Sequence, residues 1–235
     1  MKVNEQQIDQ LFEFTRKHYV EYYDVQSELV DHLANDIEEI WKEHPNLTFM
    51  QARDRAFKKF GIFGFADVIK ARESAMTKKY WKLILRFTQE WFSPPKIVFT
   101  LGLFFGFFML FQLPNIEYFI LSGLAIGICI EVYNWFMGKK QRQFREQKKE
   151  KLFLLEAMIG TTRNGFSGLA LINFFNLMNL TSFDFSSFST EWLVVLSLVM
   201  TILVIMFNVC TFVLPNKAQE LLEETYPEYK IVKSL

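Results

Sequence analysis

Residues 139–151 read KKQRQFREQKKEK, and this stretch decides how the rest of the chain must lie. It holds seven Lys or Arg and two Glu between two strongly apolar regions. Short loops that are rich in Lys and Arg stay on the cytoplasmic side of a bilayer. We therefore predict a cytoplasmic basic loop over residues 138–152, with the apolar region on each side crossing the membrane and returning.

The apolar regions divide into four runs, each close to the about 20 residues that cross about 30 Å of hydrocarbon. They cover residues 96–113, 116–137, 160–180 and 191–214. The two outer connections contain no Lys or Arg, and all 26 of these residues fall in segments assigned to the cytoplasmic side or at the inner ends of the runs. This asymmetry predicts four transmembrane helices in two hairpins within residues 96–214, in a bacterial inner membrane, with both termini and a tail over 215–235 in the cytoplasm.

The composition describes a chain of two different parts. Its 51% hydrophobic residues and 27 Phe exceed what an ordinary soluble domain carries, whereas its 22% charged residues require a substantial part in water. The first 43 residues carry eleven acids and four bases, and residues 44–96 carry eleven bases and four acids. The first long apolar run begins only at Ile97, so we expect no secretory signal and a cytoplasmic amino-terminal domain.

The amino-terminal part, residues 1–76, has the pattern of a small helical bundle. Asn4 and Thr48 are suitable N-caps, and Pro45 ends the helix that opens at Asp24. Apolar residues recur at helical spacing in each of three or four short segments. The chain is therefore predicted to be all-α, with a small cytoplasmic helical bundle ahead of the transmembrane helices.

Residues 20–70 contain a series of short motifs: SELVDHL at 27–33, DIEE at 36–39, ARDRA at 52–56, FG at 60–61 and DVI at 67–69. In these motifs the segment resembles the HAAS or permease-prefix type of domain, a small cytoplasmic helical domain found ahead of bacterial transmembrane helices. The chain has Ile62-Phe63-Gly64 where the family tends to have an acidic or proline-containing turn. The resemblance implies signalling or regulation, and a PadR-type transcription regulator as a cytoplasmic protein partner.

The acidic second helix is the candidate surface for that partner. Its candidate residues are Glu28, Asp31, His32 and Asp36. The alternative is that this face is merely solvated. His32 and Asp36 also have an i, i+4 spacing that a metal ion uses, but His18 and His44 lie in other segments, so no metal site is predicted.

Residues 77–95 contain a basic and aromatic helix, TKKYWKLILRFTQEWF over 77–92, that the pair Pro94-Pro95 then breaks. Bases beside aromatic residues are typical of a helix that lies in the headgroup layer of an anionic bilayer. A continuation of the bundle is the alternative. Because membrane proximity explains these bases, no direct binding of nucleic acid is predicted.

Polar residues within the apolar runs are the candidate intramembrane site, since polar groups in hydrocarbon are costly. Glu131 precedes Asn134 by three residues in the second run, and Arg163 at the inner end of the third run is a candidate ion-pair partner. Asn173 and Asn176 recur at a spacing of three. These groups indicate either structural hydrogen bonds between helices or the path of a transported ligand.

Glycines recur at a spacing of four in the first two runs. Gly102 and Gly106 form one G-x-x-x-G, and Gly123 and Gly127 form another. Such pairs let helix backbones approach closely in lipid. They predict either packing within the first hairpin or a homodimer.

Known catalytic motifs are missing from the sequence, which has no G-x-S-x-G, no H-E-x-x-H, no phosphate-binding glycine loop and no cysteine cluster. We therefore predict a protein that is not an enzyme and that carries no cofactor. The regulatory interpretation competes with two others, a small transporter or channel subunit and a purely structural assembly factor.

Overall fold

The computed structural model describes residues 1–113, 116–147, 150–162 and 188–234. Every regular element in these ranges is helical, which confirms the predicted all-α class. The α-helices are α1 (Glu5–Lys17), α2 (Tyr23–Glu43), α3 (Phe49–Lys58), α4 (Ala66–Gln89), α5 (Ile97–Leu110), α6 (Ile116–Gln147), α7 (154–162), α8 (Thr190–Asn208), α9 (Leu214–Asn216), α10 (Ala218–Thr225) and α11 (Tyr229–Ser234). They form two compact units, unit 1 (residues 1–79 and 151–157) and unit 2 (residues 80–150 and 158–235).

Two predicted caps begin helices of unit 1. The Asn4 side chain accepts a hydrogen bond from the Gln7 backbone N–H at 2.8 Å, and the Gln7 side chain accepts one from the Asn4 N–H at 2.9 Å. Thr48 and Gln51 form the same reciprocal arrangement at the start of α3. Each capping box satisfies two backbone donors that a helix start otherwise leaves without partners.

The core of unit 1 is built around α2. Leu29, Leu33 and Ile37 recur every four residues on one face and are fully buried. Ala52 and Ala56 of α3 are also fully buried, and their small side chains allow α3 to approach α2 closely. Burying each large aliphatic side chain of this stripe contributes about 1.5–3 kcal/mol to folding.

The carboxyl end of α1 is closed by a Schellman motif with an unusual residue. The Val20 N–H donates to the Thr15 carbonyl at 3.2 Å and the Tyr19 N–H donates to the Arg16 carbonyl at 3.1 Å. Tyr19 therefore has a φ of 64°, a conformation that glycine normally supplies at this position. Its side chain is 89% exposed.

An aromatic cluster fills the space between α1, α3 and the start of α4. We call it the aromatic cluster, and its members are Phe14, His18, Phe57, Phe60 and Phe65. The Phe57 ring lies at its centre, 5.2 Å from Phe14, 4.6 Å from His18 and 4.9 Å from Phe65 between ring centroids. Most of these contacts are edge-to-face, the arrangement that aromatic rings prefer.

Helix α4 is continuous where the sequence predicted a fourth bundle helix followed by a separate interfacial helix over 77–95. The reason is that no Gly or Pro lies between Ala66 and Gln89, and good helix formers fill the predicted junction. The helix gives way to a 3₁₀ turn, Glu90–Phe92, before Pro94-Pro95, so the predicted break at these prolines is observed.

Helix α5 is shorter than the predicted first span. It covers 14 residues, a length of about 21 Å, and residues 111–113 form a turn. The helix pair Ala66–Phe92 and Ile97–Leu110 bends by 86° at the intervening break. Within unit 2, α5 packs against α8 around a core formed by Phe111, Ile116 and Leu193.

The basic stretch that organises the sequence is helical over most of its length rather than a loop. Helix α6 runs on to Gln147, so residues 139–147 extend the helix that begins at Ile116. Lys, Arg, Gln and Glu are good helix formers and no Gly or Pro follows Gly138 within the helix. Basic residues at a helix carboxyl end are also favoured by the helix dipole.

Two helices of the described residues are long and apolar enough to cross a membrane, Leu121–Arg145 and Thr190–Asn216. The bent pair at Pro94-Pro95 raises the number to three if it forms one broken span. These findings are consistent with a membrane protein, and the predicted four-span arrangement is not confirmed. Most of the predicted third span lies in residues 163–187, outside the described residues.

Candidate functional site

The predicted partner surface lies on the solvent side of α2, opposite the buried stripe. Asp31 and His32 are exposed, and Glu28 and Asp36 are half-buried. These positions follow one another at i, i+3, i+4 and i+8, so they share one side of the helix. The structure therefore places the four residues that were predicted as a set on one face of one helix.

Three of these four side chains, Glu28, His32 and Asp36, make polar contacts within unit 1. The Arg72 guanidinium of α4 donates to Glu28 Oε1, and His32 Nε2 lies 3.9 Å from the same oxygen. The Lys59 ammonium donates to Asp36 Oδ1 at 2.7 Å. Glu28 and Asp36 therefore tie α2 to α4 and to the end of α3, which leaves Asp31 and His32 as the accessible members of the set.

The ion pair at Asp36 also changes the titration of its partner. The hydrogen bond to Asp36, together with the charges of Asp36 and Glu39, raises the pKa of the Lys59 ammonium above its ordinary value of 10.5. The Glu39 carboxylate lies 3.6 Å from the Lys59 nitrogen. Lys59 therefore stays protonated at every physiological pH and holds two acidic residues of α2.

The candidate intramembrane residues that the structure describes lie on α6. Glu131 is 1% exposed, and its Oε2 has no hydrogen-bond partner among the described residues. The Asn134 Nδ2, one helical turn further on, is also buried and has no hydrogen-bond partner among the described residues. The predicted partner Arg163 and the predicted ladder residues Asn173 and Asn176 lie outside the described residues.

Polar side chains of α8 are satisfied by the helix itself. Leu193, Ser197, Thr201 and Ile205 form a buried stripe with a spacing of four. The Ser197 hydroxyl donates to the Leu193 carbonyl and the Thr201 hydroxyl to the Ser197 carbonyl, both at 2.7 Å. These residues therefore provide small contact surfaces rather than a polar path.

A π-helical segment, Val209–Val213, follows α8 and was not predicted from the sequence. Thr211 is buried in it, and its hydroxyl has no hydrogen-bond partner among the residues that the structure describes. The sequence signal for this irregularity is Pro215, which lacks the N–H that an α-helix would direct to the carbonyl of residue 211. Such segments are frequent at functional sites.

The four candidate packing glycines face open space. Apart from the neighbouring residues and the backbone of the same helix, no heavy atom of the described residues lies within 4 Å of the Cβ that any of Gly102, Gly106, Gly123 or Gly127 would carry. Gly102 and Gly106 line an apolar groove of about 470 Å³ along α5. The Trp91 side chain also lines this groove. Packing through these glycines, within the chain or between protomers, stays a prediction.

A second set of contacts in unit 1 was not predicted. Residues 151–157 lie against the start of α2, where the Tyr23 N–H donates to the Leu152 carbonyl at 2.8 Å and the Leu154 N–H donates to Asp24 Oδ1 at 3.0 Å. Phe153 and Leu155 are fully buried. The feature of the sequence that could have indicated this contact is the apolar run Phe153-Leu154-Leu155, which follows the basic stretch.

The described residues contain no group of three or more His, Cys, Asp or Glu side chains that could hold a metal ion. Their clearest functional features are the exposed Asp31 and His32 side chains on α2 and a buried carboxyl on α6. Comparison of the chain with protein-family models, with curated proteins and with solved structures finds no match.

Proposed function

We propose that this chain is a non-enzymatic integral membrane protein whose unit 1 is a regulatory or signalling domain that binds a cytoplasmic protein partner. The observation that supports this most directly is the combination of a bundle with a water-exposed acidic surface and helices that are apolar enough to cross a membrane. The resemblance of residues 20–70 to HAAS-type domains points in the same direction.

The proposed topology places both termini in the cytoplasm of a bacterial cell, with four spans in two hairpins. Neither residues 97–138 nor residues 164–216 contain a Lys or Arg. Because Lys and Arg are retained on the cytoplasmic side, these two stretches are the ones that cross and return.

The proposed contact surface is the part of α2 around Asp31 and His32. Glu28 and Asp36 support it from within, since their ion pairs fix the helix on α4 and α3. The exposed carboxylate of Asp31 attracts a partner with a basic surface, and such complementary charge increases the rate of association. A PadR-type regulator is the partner that the family resemblance suggests.

The test is crosslinking of the tagged full-length protein in living cells, followed by mass spectrometry of what is captured. Asp31→Arg reverses the charge of an exposed residue, and we expect it to lose a cytoplasmic protein that the unchanged chain captures. Asp9→Arg makes the same change at an exposed position of α1 and is the matched control. Charge reversal is preferable to deletion of residues 1–75, which would uncover Phe153 and Leu155.

Capture of the same proteins by the unchanged chain and by Asp31→Arg would contradict this contact surface. Capture of membrane neighbours only would contradict the regulatory function itself.

The second candidate function is a small transporter or channel subunit, favoured by the buried Glu131 carboxyl and the adjacent Asn134 amide. Charged residues inside membrane helices commonly line a substrate or ion path. If this function is correct, Glu131→Gln changes a cellular phenotype that Asp31→Arg leaves unaltered. If the regulatory function is correct, Asp31→Arg changes the phenotype and Glu131→Gln leaves it unaltered.

A further inference from the structure

One end of unit 1 exposes three large apolar or aromatic side chains. Tyr19 is 89% exposed, Ile62 100% and Phe63 74%. Tyr19 directly follows His18, whose ring lies 5.8 Å from that of Phe65 between centroids. Gly64, which follows Ile62 and Phe63, lies against the Phe57 ring that also contacts His18. The three side chains therefore belong to one end of the bundle, which we call the apolar tip.

The backbone of the apolar tip is held in this exposed arrangement. Gly61 and Gly64, on either side of the pair Ile62-Phe63, have φ values of 78° and 54°. The Gly64 N–H donates to the Gly61 carbonyl at 3.3 Å, and the Ala66 N–H donates to the Phe63 carbonyl at 3.2 Å. Beneath the turn, Phe60 and Phe65 contact each other at 4.9 Å and already fill the aromatic cluster. Exposure of the tip is therefore a property of the fold.

Basic residues flank the turn of the tip on both sides in the sequence. Residues 53–72 contain six Lys or Arg and two Asp. Arg53, Lys59 and Arg72 are engaged in ion pairs with acidic residues of unit 1. The remaining bases, Arg55, Lys58 and Lys70, are exposed and form no ion pair with a described residue.

We propose that the apolar tip inserts into the interfacial layer of an anionic bilayer, with Arg55, Lys58 and Lys70 against lipid phosphates. Apolar and aromatic side chains enter the boundary between headgroups and acyl chains, and nearby bases are attracted by anionic lipid. A membrane surface accepts both features without a specific arrangement of acidic groups. The chain itself carries helices long and apolar enough to cross a membrane, so a bilayer is the surface that its proposed location supplies. This inference rests on the proposed membrane location and does not depend on the proposed regulatory function.

The test places an environment-sensitive fluorophore, NBD, at the tip of the full-length protein. Ile62→Cys is labelled on a background in which Cys129→Ser and Cys210→Ala remove the two natural thiols. The protein is reconstituted into nanodiscs of phosphatidylcholine alone or with phosphatidylglycerol. Nitroxide-bearing lipid and aqueous iodide are the two quenchers. Labelled Met50→Cys, at the exposed opposite end of α3, is the matched control.

In discs with phosphatidylglycerol we expect the label at residue 62 to shift to the blue, to be quenched by nitroxide lipid and to be protected from iodide. In discs of phosphatidylcholine alone these effects should be weaker, and the label at residue 50 should remain open to iodide in both. Lys58→Gln should lower the ratio of inserted to free tip by about five-fold, the factor that corresponds to ~1 kcal/mol per base.

Tyr19→Gly separates insertion from folding. Glycine is the favoured residue at a φ of 64°, so this variant should keep or increase the stability of unit 1 while it reduces nitroxide quenching at residue 62. Iodide access at residue 62 as high as that at residue 50 in both kinds of disc would overturn the proposal, because the tip would then lie in water. A blue shift that ignores anionic lipid and requires a second copy in the disc would also overturn it, in favour of a protein contact.

Discussion

The turn at residues 61–64 allows a quantitative prediction from a matched pair of substitutions, Gly61→Ala and Gly64→Ala. Both glycines have positive φ, which costs an alanine about 1–2 kcal/mol. Alanine also lowers the conformational entropy of the unfolded chain, which stabilises the folded state by roughly 0.4–1 kcal/mol. A Cβ at Gly61 would meet no atom within 4 Å, so Gly61→Ala should lower the free energy of unfolding by about 1 kcal/mol.

The second substitution adds a steric cost. A Cβ at Gly64 would lie 2.9 Å from Cζ of Phe57 and 3.3 Å from its Cε2. The Phe57 ring cannot simply turn away, because three rings of the aromatic cluster contact it. Overpacking of this kind costs roughly 1–3 kcal/mol, so Gly64→Ala should lower the free energy of unfolding by about 2–4 kcal/mol.

The assay is pulse proteolysis of the full-length protein in nanodiscs across a urea series, which reports the fraction of unit 1 that is unfolded. Phe57→Leu supplies the control, since a smaller side chain should remove most of the extra cost of Gly64→Ala in the double variant. Equal urea midpoints for Gly61→Ala and Gly64→Ala would refute the role assigned to the Phe57 ring.

Three further predictions concern unit 1 and use the same assay. Asn4→Ala removes one half of a capping box and should lower the free energy of unfolding by about 1 kcal/mol, whereas Asn4→Ser should lower it much less; equal losses would contradict the capping role. The folded-state pKa of Lys59 is raised by Asp36, so the pair stabilises unit 1 fully below the unfolded pKa of about 10.5 and loses this contribution as the pH rises through the folded pKa. The loss should not exceed ~1 kcal/mol, because the pair is partly exposed, and it should vanish in Asp36→Asn. Asp24→Asn weakens the charge-assisted bond from the Leu154 N–H and should increase hydrogen exchange at residue 154, and unchanged exchange there would argue against this anchor.

Local features of the fold could be predicted from the sequence. The caps at Asn4 and Thr48 were recognised because a cap needs only residues three positions apart. Pro45 and the pair Pro94-Pro95 likewise interrupt helices without help from distant residues. These predictions succeed because the physical cause and its effect lie within one helical turn.

Features that depend on competing local preferences were predicted less well. Residues 139–147 were assigned to a loop on the basis of charge, but Lys, Arg and Gln favour a helix equally well, and α6 continues through them. The junction near residue 76 was expected to separate two helices, yet it contains no residue that ends a helix. Charge indicates the side of a membrane and does not determine backbone conformation.

The four candidate partner residues lie on one face of α2, but the ion pairs that two of them form were not predicted. The Arg72 and Lys59 side chains that bind Glu28 and Asp36 come from 44 and 23 residues further along the chain. The contact between Asp24 and Leu154 spans 130 residues, and no local pattern announces it. Long-range pairing of this kind requires the packing of the helices to be known.

The docking of residues 151–157 on α2 has a consequence for the order of events during synthesis. Phe153 and Leu155 belong to the core of unit 1, so this core is incomplete until the ribosome has made them. By then α5 and α6 have already been translated. A nascent chain thus holds an unfinished bundle, with an open apolar site beside Tyr23, during the period in which its first apolar helices are synthesised. The bundle can therefore complete its core only after the whole segment between residues 80 and 150 has been synthesised.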